Sequence, residues 1–438
     1  MNRKYYFECR SCGNKIDGFG EWFANGQKCP KCGKNLIYTV YNTDKNKLSD
    51  LVSSNVSPKS LWHYFDFLPL NHKENIVSDG EGVAPIKRWS FLEEFAKNKY
   101  GLNIEVYVNR NDYSPATGTF KDKGGTLIAS VLKEQNIKEY VVASTGNTAN
   151  AVAQYLAKAK ISATIFVPQD ALEENFVHIG ALGQKIYYVK GDYAYAKKVA
   201  AEYAKKHNIL ISLGNLDPTR LEAKKTTAFE IIRQLGKMPD VYIQAVSGGT
   251  APLALEKAFS DFEETGILGK IPRMLFIQGH YCAPQVEAWN KAKANNFPEG
   301  WEYDYPIIEN PKTLVPTIAT GNPGLYPYLA KLVRKTNGDY FAVKEEMTVE
   351  AARLIAYEKA VKIGPASAVA FLGFFEALKN NAIKDGESVF INMGEGVRRA
   401  ISFLDQVSYT MEEITSVEDT NRFNRAKYHD FVWQPFME

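Results

Sequence analysis

Four of the five cysteines lie close to the N-terminus, in two pairs whose spacing is typical of a metal site. They form the pattern Cys9-x2-Cys12-x16-Cys29-x2-Cys32. Each pair places two thiolates on one turn, where they can occupy adjacent corners of a tetrahedron. The pattern predicts a zinc ribbon with a closed, structural Zn site that performs no catalysis. Two disulfides in a secreted module are the alternative, but the sequence begins with no apolar signal segment.

Three loops predicted to follow strands carry small polar residues and glycines that can bind anions. They are Ser144-Thr145-Gly146-Asn147-Thr148, Ser247-Gly248-Gly249-Thr250 and Asn392-Met393-Gly394-Glu395. The first can bind a carboxylate or other anion at a helix N-terminus, or it can simply cap that helix. In the second, two glycines allow backbone amides to approach a phosphate closely. The third carries no specific signal by itself.

Arg220 lies at the predicted start of a helix in the segment "DPTRLEAKKTTAFEI". An arginine in this position can be an ordinary surface charge, or it can act as a fork for an anionic group of a substrate. The chain contains 53 lysines and arginines, so residue type alone does not identify Lys121 or Arg220 as a functional residue.

From about residue 103 the sequence alternates short apolar, β-branched runs with helical stretches. This alternation predicts an α/β protein with parallel sheets covered by helices on both faces. In such sheets, ligands bind at the carboxyl ends of the strands, where the loops described above are expected. The predicted organisation is a ribbon over 1–42, a linker and the start of a large domain over 43–125, a small α/β domain over 126–215 and a large α/β domain over 216–438.

Composition and charge exclude several classes of protein. The net charge is +3, and the charges of both signs are interspersed, so a strong field for nucleic acid is absent. No run of eighteen uncharged apolar residues is present to span a membrane. We therefore expect a cytoplasmic protein with a small-molecule substrate, which binds neither nucleic acid nor membrane.

Taken in this order, the motifs resemble those of the fold-type II pyridoxal-phosphate enzymes, in the threonine synthase and cysteate synthase family. "TGTFKD" is similar to the cofactor-lysine motif, "STGNTAN" to the asparagine loop, "SGGT" to the phosphate loop and "DPTRLEAKKTTAFEI" to the substrate-phosphate segment. The resemblance spans nearly the whole chain. It implies two doubly wound α/β domains of the tryptophan synthase β type behind the zinc ribbon, pyridoxal 5'-phosphate as cofactor, and a homodimer.

The resemblance also implies roles for individual residues. Lys121 would form the Schiff base with the cofactor and act as acid and base at the substrate Cα, and Asn147 would contact the phenolic oxygen. The cofactor phosphate would be held by Ser247, Gly248, Gly249 and Thr250. The substrate-binding set would be Ser144 and Thr145 for the carboxylate, Thr148 in the same loop, and Arg220 for a phosphate or other anion.

Two positions depart from the family pattern. Met393 stands where a hydroxyl residue usually faces the pyridine nitrogen, and a thioether is only a weak acceptor. That nitrogen would be left to water, to Asn392 through a shifted register, or to Glu395. Asp217 replaces a usual asparagine, and a carboxylate near a substrate phosphate would repel it. "EAKKT" also replaces the more usual "EGQKT" in the same segment.

These observations favour elimination of a leaving group from an activated, phosphorylated amino acid, followed by addition of a nucleophile. The first substrate pair to test is O-phosphoserine with sulfite, which would give cysteate. Threonine synthase chemistry on O-phosphohomoserine is the alternative, and a specialised-pathway lyase or synthase of the same family is a third hypothesis. A zinc-ribbon interaction protein with an inactive enzyme body is the hypothesis from a different class.

Overall fold

A computed structural model describes residues 4–54, 56–144, 146–169, 171, 174–263, 265–267, 270–408 and 410–437. The strands are β1 (Tyr5–Cys9), β2 (Lys15–Ile16), β3 (Ile37–Tyr41), β4 (Ile86–Arg88), β5 (Glu105–Arg110), β6 (Glu139–Ala143), β7 (Ser162–Pro168), β8 (Lys185–Val189), β9 (Leu210–Ile211), β10 (Val241–Ala245), β11 (Arg273–Gly279), β12 (Asp339–Val343) and β13 (Ser388–Met393). The helices are α1 (Gly18–Ala24), α2 (Asn46–Ser53), α3 (Ser90–Tyr100), α4 (Asp122–Glu134), α5 (Asn147–Lys158), α6 (Glu174–Ala181), α7 (Tyr193–His207), α8 (Pro218–Leu235), α9 (Thr250–Glu263), α10 (Pro284–Ala294), α11 (Tyr326–Lys335), α12 (Thr348–Lys359), α13 (Pro365–Lys379), α14 (Ile401–Val407) and α15 (Arg425–Met437).

The largest sheet has the strand order β12-β11-β10-β13-β5-β4, and every pair in it is parallel except β4 with β5. Its central strands are buried on both faces, as expected for apolar runs in a parallel sheet. On one face Tyr242 and Phe390 belong to a core shared with α8 and α9. On the other face Ile243 and Ile391 pack in a core with α12 and α13. This sheet is therefore doubly wound.

The second sheet has the order β8-β7-β6-β9 and is parallel throughout. Successive residues of β6 point to opposite faces, as the alternation of a strand requires. Val142 packs with α5 through Val152, whereas Val141 packs with α7 through Ala196 and Ala200. Two doubly wound parallel sheets confirm the predicted α/β class.

The N-terminal residues form a small antiparallel sheet in the order β2-β1-β3. Its aromatic core, which includes Phe7 and Trp22, continues into Leu127 of α4 and Ala223 of α8. The hydroxyl of Tyr41 in β3 donates a hydrogen bond of 2.7 Å to Glu222 of α8. The ribbon is thus packed directly on the two helices that begin at the cleft between the larger sheets.

The C-terminal helix α15 lies on the body of the protein. Trp433 stacks on Phe95 with ring centroids 5.6 Å apart, and Phe436 lies 4.6 Å from Phe375. Across the described residues, no helix has both the length and the apolar character that crossing a bilayer requires.

Candidate active site

A cavity of about 340 Å³ lies where the loops at the carboxyl ends of both parallel sheets meet. Most of the predicted site residues line it, namely Lys121, Ser144, Asn147, Thr148, Arg220, Ser247, Gly248, Gly249 and Thr250. Thr145 lies outside the described residues. The structure therefore brings together four segments that are up to about 130 residues apart in the sequence, as the switch-point rule for open α/β sheets predicts.

The loop before Lys121 is held by hydrogen bonds to the first residue of α4. The buried carboxylate of Asp122 accepts hydrogen bonds from the backbone N–H groups of Ala116 and Thr117, at 2.9 and 3.0 Å. Gly118 has φ of +67°, a left-handed conformation that favours glycine. The Thr119 hydroxyl accepts a hydrogen bond of 3.1 Å from Lys121 N. These contacts fix the backbone from which the Lys121 side chain enters the cavity.

The same loop is joined to the turn after β13. Phe120 N donates to Gly394 O at 3.0 Å, and Gly396 N donates to Gly118 O at 2.9 Å. Thr119 and Glu395 form an isolated antiparallel bridge. The two loops therefore form one rigid wall of the cavity.

The amine of Lys121 lies in an environment that favours its neutral form. Burial, reinforced by the nearby Arg220 guanidinium, lowers the pKa of Lys121 to about 7, although Glu395 opposes the shift. Its Nζ lies 4.2 Å from the centroid of the Phe120 ring. A neutral amine is the form that attacks a carbonyl or takes a proton from carbon. Lys121 is thus suited to nucleophilic and base chemistry near neutral pH.

The loop 247–250 forms a cradle for a phosphate. A Cβ on Gly248 would lie 1.6 Å from Asn215 Nδ2, and a Cβ on Gly249, whose φ is +91°, would lie 2.1 Å from Leu329 Cδ1. Both positions thus require glycine, and the bare backbone leaves its amides open to an anion at the start of α9. The Thr250 hydroxyl donates to Asn215 Oδ1 at 2.8 Å, which fixes the loop. These residues fit the phosphate of pyridoxal phosphate.

Replacing Gly248 with alanine is expected to lower the affinity for pyridoxal phosphate by about tenfold or more, because the Cβ would overlap Asn215 and the loop must shift, which moves its amides out of line with the charged phosphate. Gly180 is a matched control, because a Cβ there would meet nothing within 4 Å. Titration of each apoprotein variant with pyridoxal phosphate measures its affinity for the cofactor. Equal affinities for the two variants would contradict the cradle.

Asn147, at the start of α5, is held by a carboxylate from the opposite wall. Its Nδ2 donates a hydrogen bond to Glu395 Oε2. The other oxygen of Glu395 accepts from Ala366 N at 2.8 Å. Burial raises the pKa of Glu395. Since both oxygens are engaged, Glu395 orients Asn147 and is not free to turn toward a distant cofactor atom.

Met393 is placed in the apolar core, with 0% of its surface exposed, and is not on the cavity wall. Its neighbours Asn392 and Gly394 line the cavity instead. The cause is the alternation of β13, which directs successive side chains to opposite faces. Asn392 Oδ1 accepts a hydrogen bond of 3.0 Å from Asn111 Nδ2. Of the three alternatives left open for the pyridine nitrogen, the amide of Asn392 is the one presented by β13 at the cavity.

Arg220 reaches the cavity from the first turn of α8. Its Nη2 donates to the Thr148 hydroxyl at 3.4 Å, so the two residues lie together. Asp217, in contrast, does not line the cavity. It caps α8 by accepting from Thr219 N at 3.0 Å, and it accepts from the Tyr140 hydroxyl at 3.1 Å. The Asp217 carboxylate is therefore directed at the start of α8 and at Tyr140, and it does not contact the interior of the cavity.

The four cysteines converge in the ribbon, away from the cavity. Their sulfur atoms all lie within 4.8 Å of one another, and the Sγ–Sγ distances are 3.5 Å for Cys9–Cys32 and 3.7 Å for Cys12–Cys29. Tetrahedral Zn with bonds of about 2.3 Å requires sulfur atoms about 3.8 Å apart. No disulfide joins them. The cluster therefore fits a zinc ribbon.

Several cavity residues were not identified from the sequence. They include Lys197, Asn215, Lys224 and Thr320. The sequence could have indicated Lys224, because this residue follows Arg220 by four positions and so lies on the same face of α8. No sequence signal indicates Thr320, since it lies in an irregular segment whose position depends on long-range packing. In the structure its hydroxyl lies 2.5 Å from that of Ser247.

A lysine of lowered pKa and a phosphate cradle at the carboxyl ends of two doubly wound sheets define an α/β enzyme that uses a phosphorylated carbonyl cofactor. A family model described as pyridoxal-phosphate dependent enzyme matches residues 77–394. The threonine synthase of Methanocaldococcus jannaschii is 32% identical over 397 residues, covering 85% of this chain and 92% of that relative. The threonine synthase of Methanosarcina acetivorans is 28% identical over 387 residues, covering 88% and 90%. The chain belongs to the family of pyridoxal-phosphate-dependent enzymes.

Solved structures show the same fold at low sequence identity. The processed form of threonine deaminase isoform 2 from Solanum lycopersicum matches with a TM-score of 0.60 at 18% identity, covering 84% of this chain and 94% of that one. Diaminopropionate ammonia lyase from Escherichia coli matches with a TM-score of 0.61 at 14% identity, covering 82% and 91%. At these identities the likeness concerns the fold alone.

Proposed function

We propose that this protein eliminates phosphate from an O-phosphorylated amino acid and adds a nucleophile to the resulting unsaturated carbon. The observation that carries the proposal is the pair Arg220 and Thr148, which forms an anion site beside the loop of α5 and distinct from the cradle at 247–250. A cavity with a place for the cofactor phosphate and a second cationic site suits a substrate that carries its own oxyanion.

The residues divide the work as follows. The cradle and Lys121 would hold pyridoxal phosphate, which when bound would supply an electron sink for the substrate Cα. The neutral Lys121 amine takes the Cα proton and later returns it. Ser144 and the N-terminus of α5 bind the substrate carboxylate, and Arg220 binds the leaving phosphate. With O-phosphoserine, loss of the Cα proton expels phosphate from Cβ, and the nucleophile then bonds to Cβ while Cα regains its proton. With O-phosphohomoserine, a Cβ proton must also leave before phosphate departs from Cγ, after which Cγ gains a proton and water bonds to Cβ and gives up one of its protons.

O-phosphohomoserine with water is one candidate substrate pair. The relatives from Methanocaldococcus jannaschii and Methanosarcina acetivorans are both named threonine synthase. Asp217 makes its hydrogen bonds to Thr219 and Tyr140 and does not line the cavity, so it is not in direct contact with a phosphate bound at Arg220.

O-phosphoserine with sulfite is the other candidate pair. Lys224 and Lys197 add two basic side chains to the cavity wall beyond Lys121 and Arg220. Basic side chains that can take up a proton suit an anionic nucleophile better than they suit water. Stretches such as "FIQGHYCAP" and "GDYAYA" resemble cysteate synthases, which use this pair.

Phosphate release measured with each amino acid separates the candidates. We expect release from O-phosphohomoserine, from O-phosphoserine with sulfite, or from both, and none from the unphosphorylated amino acids. Arg220→Leu should lower kcat/KM by about a hundredfold, because a buried charge-assisted contact to the phosphate is lost. Lys198→Gln, which removes an exposed charge on α7, is the matched control. Release with neither phosphorylated substrate would refute the proposal.

We further propose that the cysteine cluster holds one structural zinc ion. The support is the agreement of the Sγ–Sγ distances with a tetrahedral site and the burial of Cys9 and Cys29. Four thiolates leave no open coordination position, so the ion would stabilise the ribbon and perform no chemistry.

A further inference from the structure

Lys224 is a buried lysine of the cavity to which the proposed reaction assigns no specific contact. It lies one turn after Arg220 on α8, and both side chains line the cavity although they are only 3% and 7% exposed. Its Nζ lies 5.3 Å from the centroid of the Phe120 ring, the same ring that Lys121 Nζ approaches at 4.2 Å. The ammonium group of Lys224 therefore reaches the part of the cavity where the reacting groups meet.

Lys224 differs from the other buried lysines in having no partner. Lys123 donates to the Thr227 hydroxyl at 2.8 Å, and Lys225 forms ion pairs of 2.6 and 2.9 Å with two carboxylates. Within the described part of the chain, no hydrogen-bond acceptor or carboxylate lies at bonding distance from Lys224 Nζ. A structural lysine is normally satisfied by the fold, because a buried unpaired charge is costly. Lys224 is therefore arranged for a group that the protein itself does not supply.

The charges around Lys224 are mostly of its own sign. Burial first, and then the nearby basic groups of Lys121 and Arg220, lower the pKa of Lys224 well below its ordinary value, and Asp217 opposes the shift only in part. The remaining carboxylate of the cavity, Glu395, is held by Asn147 and a backbone amide. Protonation of the amine is thus disfavoured in the free site and becomes favoured when an anion enters.

We infer that Lys224 binds an oxyanion together with Arg220, so that the pair selects substrates that bring a tetrahedral dianion into the cavity. The inference deepens the proposed function and rests on it for the identity of the substrate. An arginine alone supplies one positive charge, whereas two cations one helical turn apart neutralise a phosphate dianion. The oxyanion can be the leaving phosphate or an anionic nucleophile such as sulfite, since both present oxygen atoms to the same two cations.

Anion binding to the holoenzyme tests the inference without turnover. Inorganic phosphate and sulfite are titrated separately into wild-type protein, Lys224→Met and Lys224→Arg by calorimetry at pH 8, in two buffers of different ionisation enthalpy. Wild type should take up protons as the anion binds, because the anion favours the charged form of Lys224. Lys224→Met should bind at least about thirtyfold more weakly without proton uptake. Lys224→Arg should retain affinity and lose the proton uptake, because arginine is always charged.

The two anions separate the sources of the oxyanion. Loss of phosphate affinity alone assigns Lys224 to the leaving group, and loss of sulfite affinity alone assigns it to the nucleophile. The matched control Lys198→Gln should bind both as wild type does. Unchanged affinity of folded Lys224→Met for both anions would overturn the inference, and if that variant does not fold, unchanged proton uptake by Lys224→Arg would do so. Anion binding that depends on Lys224 without any phosphate release would instead refute the proposed function and leave this inference standing.

Discussion

Replacing Lys121 with alanine is expected to lower turnover by at least about a thousandfold, because in the proposed function this residue combines covalent attachment of the cofactor with proton transfer at Cα. The variant should also lose the visible absorbance of the bound cofactor. Lys133→Ala is the matched control, since Lys133 is an exposed lysine at the other end of the same helix. Wild-type turnover by Lys121→Ala would assign the chemistry to another amine, of which Lys224 is the first to test.

Attachment of the cofactor to wild-type apoprotein should depend on pH with a midpoint near 7. Burial and Arg220 lower the pKa of Lys121 from 10.5 to about 7, so the amine is protonated and unreactive below this pH and neutral above it. The rate of reconstitution should therefore rise through pH 7 and then level off. Arg220→Gln removes a cation that disfavours protonation, so the midpoint should move to higher pH. A rate in wild type that still rises toward pH 10 would indicate an exposed, unperturbed lysine.

The loops that form the site were predictable because their signals are local. Each follows an apolar run and precedes a helical stretch, and parallel strands bring their carboxyl ends to one edge. For this reason the sequence correctly indicated the positions of Lys121, Ser247 and Arg220 relative to their strands and helices. The resemblance to a known family then placed them in one site, which the cavity brings together.

The contacts between loops could not be predicted, since they depend on register and long-range packing. Met393 shows the effect of register, because a shift of one residue along β13 moves a side chain from the cavity face of the sheet to the core face. Asp217 illustrates the second, because its hydrogen bond to the Tyr140 hydroxyl joins residues 77 positions apart. The sequence alone does not show this contact, and it therefore predicts the Asp217 carboxylate near the substrate.

The ribbon is linked to α8 through a buried ionic network. Tyr41 of β3 donates to Glu222, and Lys225 forms ion pairs with Glu222 at 2.6 Å and with Asp261 of α9 at 2.9 Å. Lys225 is 0% exposed, so removing a partner would leave a buried charge uncompensated. Since α8 also carries Arg220, the folded ribbon helps to hold Arg220 in position.

Replacing Cys12 with serine is therefore expected to remove the metal and to destabilise more than the ribbon. Structural zinc contributes on the order of 10 kcal/mol in small zinc domains, so we expect Tm to fall by about 10 °C or more. Loss of Tyr41 packing should also weaken phosphate binding at Arg220. Cys282→Ser is the control, because this buried cysteine lies outside the cluster and should leave the metal content unchanged. Native mass spectrometry and thermal melting measure the outcome, and a metal-free wild-type protein of equal stability would show that the cysteines alone hold the ribbon.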